Sequence, residues 1–229
     1  MTEQTSSSKP MPTTLNYFGG FSGRSEPIRS FAAAADFPLE FAAVSFETWP
    51  EKKPTTPFGS LPTLVLEDGL EIAQSAAILG FVAESTNKAG KNPKDRAIIR
   101  MVEETSKDTG DGWLFSELAD EAKRGAAQTK IEGLLTKLDN FVGANHAVGG
   151  ELTVADAVIW HLVLKYEFLF EGITIPPKLK AIANTFAALP QVAAFHATPE
   201  YPKAQFPPHL PFIKENPYLQ KRLADYAGK

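Results

Sequence analysis

The chain has 229 residues, no cysteine and a formal net charge of −4. The missing cysteine excludes disulfides, thiolate metal sites and a cysteine nucleophile, and the scattered Lys and Arg residues argue against the basic face that nucleic-acid binding requires. No apolar run approaches the ~20 residues of a membrane span, so we expect neither nucleic-acid nor membrane partners.

The first 45 residues predict a leader followed by a β-α-β unit. Residues 1–12 are polar and lack the apolar stretch of a signal peptide, so we expect a disordered leader and a cytosolic protein. Strands are predicted at Thr13–Phe18 and Leu39–Ser45. Between them, apolar residues recur at helical spacing over Ser25–Ala35, which predicts a helix. Ser25 stands where a helix N-cap is expected.

A proline-rich loop and a β-hairpin are predicted next. The loop covers residues 49–60, WPEKKPTTPFGS. The following "LPTLVLEDGLEIA" predicts two strands joined at Asp68-Gly69, a strong hairpin signal. A helix follows to about Glu84, with Ser75 as its predicted N-cap. This order fits a small mixed sheet with helices packed on it.

The rest of the chain predicts helices and no strand. Residues 85–92, STNKAGKN, are polar and predict a linker. Helices are predicted at 93–122, 126–142, 153–168, 178–188 and 190–197. The "TGDGW" stretch predicts a kink in the first, because an interior glycine costs ~1 kcal/mol, and Thr153 to Asp156 predicts a capping box. After Thr198 the chain is proline-rich, which predicts an extended tail over the surface, ending in a short helix at Tyr218–Tyr226.

Three local motifs could carry chemistry. In "NYFGGFSGRSEPIR" the glycine spacing matches neither the dinucleotide fingerprint nor the Walker loop, which argues against a phosphate cradle. The Leu61–Pro62 bond at the head of a strand is either an ordinary trans turn or a cis bond that leaves the Leu61 backbone facing outward. The Gln74-Ser75 pair is either a plain helix cap or a carboxylate site at a helix N-terminus.

These motifs together carry a resemblance. The stretches "YF…GRSEPIR", "WPEKKPTTPFGSLPTL" and "EDGLEIAQSAAILGFVAE" resemble the glutathione-binding domain of cytosolic glutathione transferases. The sigma-like class, which includes the prostaglandin D synthases, is the nearest in pattern, and "VGGELTVADAVIW" resembles the capping motif of the helical domain. The resemblance implies an α/β thioredoxin-like domain at 13–84, a linker at 85–92 and an all-α helical bundle at 93–198, with the leader 1–12 and the tail 199–229 outside it.

The resemblance also implies a glutathione site. The Leu61–Pro62 bond would be cis, and the Leu61 backbone would pair with the cysteinyl backbone of glutathione like an added strand. Gln74 and Ser75 would hold the γ-glutamyl carboxylate. The glycine end of the tripeptide would be held by Trp49 and Lys53. Glutathione would act as co-substrate, without a metal.

The thiol-activating group implied by the resemblance is the Tyr17 hydroxyl, with Arg24 beside it. Lowering a thiol pKa from ~8.5 by about two units takes ~2.7 kcal/mol, and one hydrogen bond to a charged group supplies ~1.5–3 kcal/mol. The spacing from Tyr17 to the glycine of "GR" is six residues, one more than is usual in the family. That extra residue keeps two serines, Ser22 and Ser25, as rivals.

The substrate side and the quaternary structure are predicted from the same resemblance. The electrophile pocket would lie between the domains, with an aromatic wall drawn from Phe18, Phe21, Trp113 and Phe115. The protein would be a homodimer in which an acid of the partner reaches the γ-glutamyl amine. Asp108 matches that acid, and Glu104 is the alternative.

The predicted function is a detoxifying glutathione transferase, in which the thiolate attacks electrophilic, mostly apolar substrates. Two alternatives stay open. One is a non-catalytic relative that binds glutathione or a lipophile. The other is a glutathione-dependent isomerase of the prostaglandin D synthase type.

Overall fold

The computed structural model describes residues 13–20, 22–108, 114, 117–199, 201 and 211–227. The leader expected at residues 1–12 lies outside the described residues. Strand β1 (Thr14–Phe18) leads through a 3₁₀ turn (Gly23–Ser25) into helix α1 (Glu26–Ala34) and strand β2 (Glu40–Val44). The predicted β-α-β unit is thus confirmed.

The predicted hairpin completes a four-stranded mixed sheet. Strands β3 (Thr63–Val65) and β4 (Glu71–Ala73) are followed by helix α3 (Ser75–Ser85). The strand order is β2-β1-β3-β4, with β1 and β2 parallel and the other neighbours antiparallel. Leu15 and Leu64 are fully buried in the core that the sheet shares with α1 and α3.

The segment predicted as a proline-rich loop at 49–60 is partly helical. Helix α2 (Trp49–Lys52) and a 3₁₀ turn (Lys53–Thr55) follow each other there. Each has its proline among its first two residues, where the missing N–H would have no partner inside the helix anyway. The prolines therefore start short helices instead of preventing them.

Between residues 93 and 199, the described part of the chain includes the helices α4 (Pro93–Asp108), α5 (Glu121–Asp139), α6 (Val154–Leu169), α7 (Pro177–Ala187) and α8 (Pro190–His196). Helix α6 is buried along nearly its whole length and packs against α7, α4 and α1. It begins with the predicted capping box, in which the Thr153 N–H donates to the Asp156 carboxylate at 2.8 Å. Within the described part of the chain, no helix is long and apolar enough to cross a membrane.

The predicted helix 93–122 is wrong in its extent. Helix α4 is described as far as Asp108, residues 119–120 are not helical, and a separate helix begins at Glu121 instead of 126. The cause is an N-cap, because the Asp120 carboxylate accepts from the Ala122 N–H at 2.9 Å and from the Lys123 N–H at 3.2 Å. The kink predicted at "TGDGW" falls on residues 109–113, outside the described residues.

The C-terminal segment docks on the end of α6. Two helices follow one another, α9 (Pro211–Lys214) and α10 (Pro217–Ala227), so the short helix predicted at Tyr218–Tyr226 is confirmed. Of the extended tail predicted at 199–229, residues 200, 202–210 and 228–229 lie outside the described residues. The prediction is wrong for 211–214, because Pro211 stands at the first position of a helix. The described tail is helical and packed: Arg222 donates to the carbonyl of Phe168 at 2.8 Å, and the Tyr218 hydroxyl donates to that of Leu169 at 2.9 Å.

Candidate functional site

Three strand ends meet where the sequence predicts a thiol-activating group, a cis-proline turn and a carboxylate site. In the antiparallel register, Asn16 of β1 pairs with Thr63 of β3, and Thr63 pairs with Ala73 of β4. At this end of the sheet, the next residues in the same register lie beside one another: Tyr17, Pro62 and Gln74. Tyr17 thus shares one end of the sheet with residues that stand 45 and 57 positions after it in the sequence.

The Tyr17 side chain lies beneath the glycine-rich turn and is 7% exposed. The backbone N–H of Arg24 donates to its hydroxyl oxygen at 3.1 Å. The extra residue before Gly23 therefore does not carry the turn away from the phenol. Gly20, with φ of 87°, lets the chain reverse within the longer loop. A phenol oxygen that accepts from a backbone N–H still carries a hydrogen that it can donate.

The two rival serines lie inside the turn. Ser22 and Ser25 are both 0% exposed, and the Ser25 hydroxyl donates to the carbonyl of Ser22 at 2.9 Å. Ser25 occupies the predicted N-cap position of α1, but its hydroxyl makes no bond to the first turn because it is turned back towards Ser22. The Ser22 hydroxyl is buried without a hydrogen-bond partner. Tyr17 is the one of the three that keeps some exposure.

The Leu61–Pro62 peptide bond is cis, which is the alternative that the family resemblance favoured. Pro62 is buried and Leu61 is half-buried just before β3. Across from them, Gln74 is the N-cap of α3, and Ser75 is the first helical residue. The expected N-cap at Ser75 is therefore wrong by one residue, because Gln74 still has the non-helical φ of 75° that ends β4.

The backbone at Gln74 favours an anion. A non-glycine residue at positive φ costs ~1–3 kcal/mol and persists only where its surroundings hold it, often at a ligand site. The Gln74 side chain makes no hydrogen bond to the first turn of α3. The backbone N–H groups of that turn are therefore not capped by Gln74. A carboxylate placed there would meet those groups and the positive end of the helix.

Helix α2 brings the Trp49 side chain against Phe18, the last residue of β1. Trp49 is half-buried, and its ring stands edge-on to that of Phe18 with 5.4 Å between centroids. Phe18 also stacks on Phe46 at 4.6 Å. Phe18 was predicted for the wall of the electrophile pocket; the structure places it beside Trp49, and its contact with substrate stays a prediction.

Two adjacent lysines do different work. Lys53 is exposed, and its aliphatic chain runs past Gly59. Lys52 instead turns inward, where its ammonium donates to Asn16 Oδ1 at 3.0 Å. The Asn16 amide donates in turn to the Thr63 hydroxyl at 3.3 Å. The sequence holds no signal for this inward chain, since two neighbouring lysines look alike until the sheet places Asn16 beneath one of them.

Comparison with known proteins agrees with this arrangement. A family model described as the glutathione S-transferase N-terminal domain matches residues 13–84, and one described as the C-terminal domain matches residues 103–199. The haematopoietic prostaglandin D synthase of Rattus norvegicus is 30% identical over 196 residues, covering 81% of this chain and 96% of that protein. The chain belongs to the glutathione S-transferase family. The resemblance seen in the sequence is therefore confirmed.

Two further transferases support the assignment of family and fold. Glutathione S-transferase A3 of Mus musculus is 31% identical over 194 residues, with 79% of this chain and 86% of that protein covered. The crystal structure of the glutathione S-transferase from Ascaris lumbricoides superposes with a TM-score of 0.72 at 30% identity, over 86% of this chain and 100% of that one. The predicted pairing of an α/β N-terminal fold with a helical C-terminal fold is confirmed.

The two acids considered for the transferase dimer lie at the end of α4. Asp108 is its last residue and is exposed. Glu104 is also exposed and pairs with Lys107 at 2.6 Å. Asp108 also borders a cavity of about 380 Å³ between α4 and α5, lined in part by Ile131 and Leu134. A contact of either acid with a partner's glutathione stays a prediction.

The remaining aromatic candidates for the electrophile wall lie outside the described residues: Phe21, Trp113 and Phe115. Leu114, between the last two, is fully buried. The described residues hold no group of three or more His, Asp or Glu that could bind a metal ion.

Proposed function

We propose that this chain is a glutathione transferase in which the Tyr17 hydroxyl stabilises the thiolate of glutathione. The observation that carries the proposal is the 3.1 Å bond from the Arg24 N–H to the Tyr17 oxygen, at the sheet end shared with Pro62 and Gln74. That bond draws electron density towards the N–H and makes the phenol a better hydrogen-bond donor. It also fixes the direction of the donated hydrogen.

The mechanism needs only a stabilised thiolate and a bound electrophile. The thiol proton leaves to solvent, and the Tyr17 hydroxyl donates to the sulfur anion that remains. The sulfur pair then attacks an electrophilic carbon, so that a C–S bond forms while a leaving group departs or a π bond opens. Tyr17 keeps its own proton throughout and acts as an electrostatic stabiliser.

The rest of the site would hold the tripeptide in place. The N-terminus of α3, with Gln74 and Ser75, suits the γ-glutamyl carboxylate. The Leu61 backbone, beside the cis bond, suits the cysteinyl backbone. Trp49 and Lys53 suit the glycine carboxylate, and the inward hydrogen bond of Lys52 makes Lys53 the cation available for that role.

The decisive experiment follows conjugation of 1-chloro-2,4-dinitrobenzene to glutathione and, separately, thiolate absorbance of bound glutathione against pH. Tyr17→Phe should raise the bound thiol pKa by about 1–2 units and lower kcat/KM at pH 6.5 by ~10–100-fold. Ser25→Ala tests the rival serine and should shift the thiol pKa much less than Tyr17→Phe, because it removes only the bond to the Ser22 carbonyl. Equal profiles for wild type and Tyr17→Phe would refute the role of Tyr17, and glutathione binding without turnover in wild type would favour the non-catalytic alternative.

A second candidate is isomerisation of a prostaglandin endoperoxide. It is supported by the 30% identity to the rat haematopoietic prostaglandin D synthase over 96% of that protein. The same thiolate would attack one endoperoxide oxygen, so that an S–O bond forms while the O–O bond breaks and the other oxygen leaves as an alkoxide that takes a proton. Loss of the proton from the carbon that bears the sulfur-bound oxygen would then form a C=O bond and expel the thiolate. Product analysis with a prostaglandin endoperoxide and glutathione tests it, since a rate equal to the uncatalysed one would rule it out.

The proposal extends to a homodimeric, cytosolic enzyme of detoxification. Phe58, just before the cis turn, is 72% exposed, and Met101 on α4 is 43% exposed. These apolar side chains, with the cavity beside Asp108, would be covered in a dimer. Light scattering of the purified chain tests the dimer, and Asp108→Ala should raise the KM for glutathione if this acid reaches the partner's site. A monomer at micromolar concentration would refute it.

A further inference from the structure

A chain of three polar side chains, two of them fully buried and the third part-buried, lies behind the turn that holds Tyr17. Glu26 and Ser30, one helical turn apart on α1, are both 0% exposed. The Ser30 hydroxyl donates to Glu26 Oε1 at 2.8 Å and lies 2.9 Å from Nε2 of His196. His196 is the last residue of α8, so the chain joins the α/β half of the fold to the helical half.

The His196 ring packs against two other aromatic rings. It stacks on Trp160 of α6, with 5.0 Å between centroids and 20° between planes, and Tyr201 covers it at 4.2 Å. Its neighbour Phe195 lies 5.0 Å from the Arg29 guanidinium, which also sits over Phe41. These ring contacts hold His196 with its Nε2 atom 2.9 Å from the Ser30 hydroxyl.

The other end of the chain reaches Tyr17 through backbone. The N–H of Glu26 donates to the carbonyl of Gly23 and closes the 3₁₀ turn. Inside that turn stands Arg24, whose N–H donates to the Tyr17 hydroxyl. The position of Glu26 thus sets where the Arg24 N–H points, and Ser30 with His196 sets the position of Glu26.

We propose that His196 and Ser30 are positioning residues for thiol activation, acting through Glu26 and the Gly23–Ser25 turn on the Tyr17 hydroxyl. The inference rests on the proposed function, because it assumes that Tyr17 donates to the thiolate. Neither residue touches substrate. Their effect is to keep one backbone N–H aligned with one phenol oxygen, from the opposite side of the domain interface.

The protonation states agree with a neutral hydrogen-bond chain. Burial lowers the pKa of His196 to about 4, so the ring is neutral at physiological pH. Burial raises the pKa of Glu26 to about 7, against opposing contributions from Ser30, Arg29 and Tyr201. With Glu26 ionised, Ser30 donates to the carboxylate and receives from His196 Nε2–H. With Glu26 protonated, the carboxyl can donate to Ser30 and Ser30 to Nε2, so the chain stays closed in both states.

The test compares two substitutions at His196 with a packing control. His196→Phe keeps a ring between Trp160 and Tyr201 but removes the bond to Ser30, and His196→Gln restores a polar atom near the place of Nε2. Val192→Ala, on the same helix at 0% exposure, loosens α8 without touching the chain. The measurements are the bound thiol pKa by thiolate absorbance and kcat/KM against pH.

We expect His196→Phe to raise the bound thiol pKa by about half a unit and to lower kcat/KM at pH 6.5 by ~3-fold. His196→Gln should recover most of that loss, and Val192→Ala should leave the thiol pKa where it is. In a Tyr17→Phe background, His196→Phe should add no further shift, because the two act through one bond. A shift with Val192→Ala as large as with His196→Phe, or none with His196→Phe while Tyr17→Phe gives one, overturns the inference alone. No shift with Tyr17→Phe itself refutes the proposed function, and the inference with it.

Discussion

Arg222, in the C-terminal segment, is the residue whose substitution we expect to lower the stability of the fold most clearly. Its side chain lies within the fold, and the residue is 9% exposed. Its guanidinium donates from Nε to the Phe168 carbonyl at 2.8 Å and from Nη2 to the Glu167 carbonyl at 2.7 Å. These are among the last carbonyls of α6, which have no partner within the helix. Arg222 therefore caps the C-terminus of a long and largely buried helix, where a cation is also favoured by the helix dipole.

The magnitude follows from the two bonds. A hydrogen bond to a charged group is worth ~1.5–3 kcal/mol, and water regains part of the loss because the site is near the surface. We expect Arg222→Ala to lower the free energy of unfolding by about 3 kcal/mol, or Tm by roughly 6–12 °C for a chain of this size. Arg222→Lys keeps the charge but not the planar fork, and should lose about half as much. Urea denaturation followed by circular dichroism measures both.

The adjacent Lys221 is the matched control. Its ammonium lies 3.6 Å from Glu171, with both side chains more than 60% exposed. An exposed pair of this kind is worth ~0–1 kcal/mol, so Lys221→Ala should be nearly neutral. A loss below about 0.5 kcal/mol for Arg222→Ala, or one no larger than that for Lys221→Ala, would refute the capping role.

Three further predictions concern pH, a helix start and the paired lysines. Because burial raises the pKa of Glu26 from 4.5 to about 7, the folded state binds the proton more tightly, and the free energy of unfolding falls by up to roughly 3 kcal/mol as pH rises from 4.5 to above 7. Glu26→Gln should lack this fall, so its stability relative to wild type should increase between pH 5 and pH 8 in denaturant titrations, and a constant difference would contradict the raised pKa. Asp120→Ala should cost ~1 kcal/mol, and Asp120→Asn much less, by thermal melts; equal losses would argue against the cap. Lys53→Met should raise the KM for glutathione about fivefold, worth ~1 kcal/mol, whereas Lys52→Met should leave that KM unchanged and lower Tm; the reverse pattern would exchange their roles.

The features that the sequence predicted correctly are those encoded within a few neighbouring residues. Asp68-Gly69 marks the hairpin, and Thr153 with Asp156 marks the start of α6, because turn and cap chemistry are local. The sequence pattern does not predict the starts of α2 and α5. In α2 a proline-rich segment favours a loop, although the proline stands in the first turn of a helix. In α5 the cap Asp120 lies within a pattern that predicts one continuous helix.

Contacts between residues far apart in the chain could not be predicted, because no local sequence pattern indicates them. The bond between Ser30 and His196 joins residues 166 positions apart, and a lone histidine near the end of a helix gives no sign of its partner. The same holds for Lys52 and Asn16, which meet only once α2 lies across the sheet. The family resemblance indicated the candidate residues Tyr17, Leu61 and Gln74. That they lie at the same end of the sheet follows from the strand register.

The extra residue between Tyr17 and Gly23 changes the loop and leaves the hydroxyl in place. The loop ends are fixed at both sides: the Gly19 N–H donates to the Val44 carbonyl at 3.2 Å, and the Arg24 N–H donates to Tyr17 at 3.1 Å. Gly20, between these anchors, has positive φ and nothing within 4 Å of where a Cβ would stand, so the backbone there can accommodate one more residue. The six-residue spacing that kept Ser22 and Ser25 as rivals therefore lengthens the loop, while the phenol that we propose as the activating group stays at the end of β1. On this reasoning, shortening the loop by one residue should alter which electrophiles are accepted more than it alters the pKa of bound glutathione.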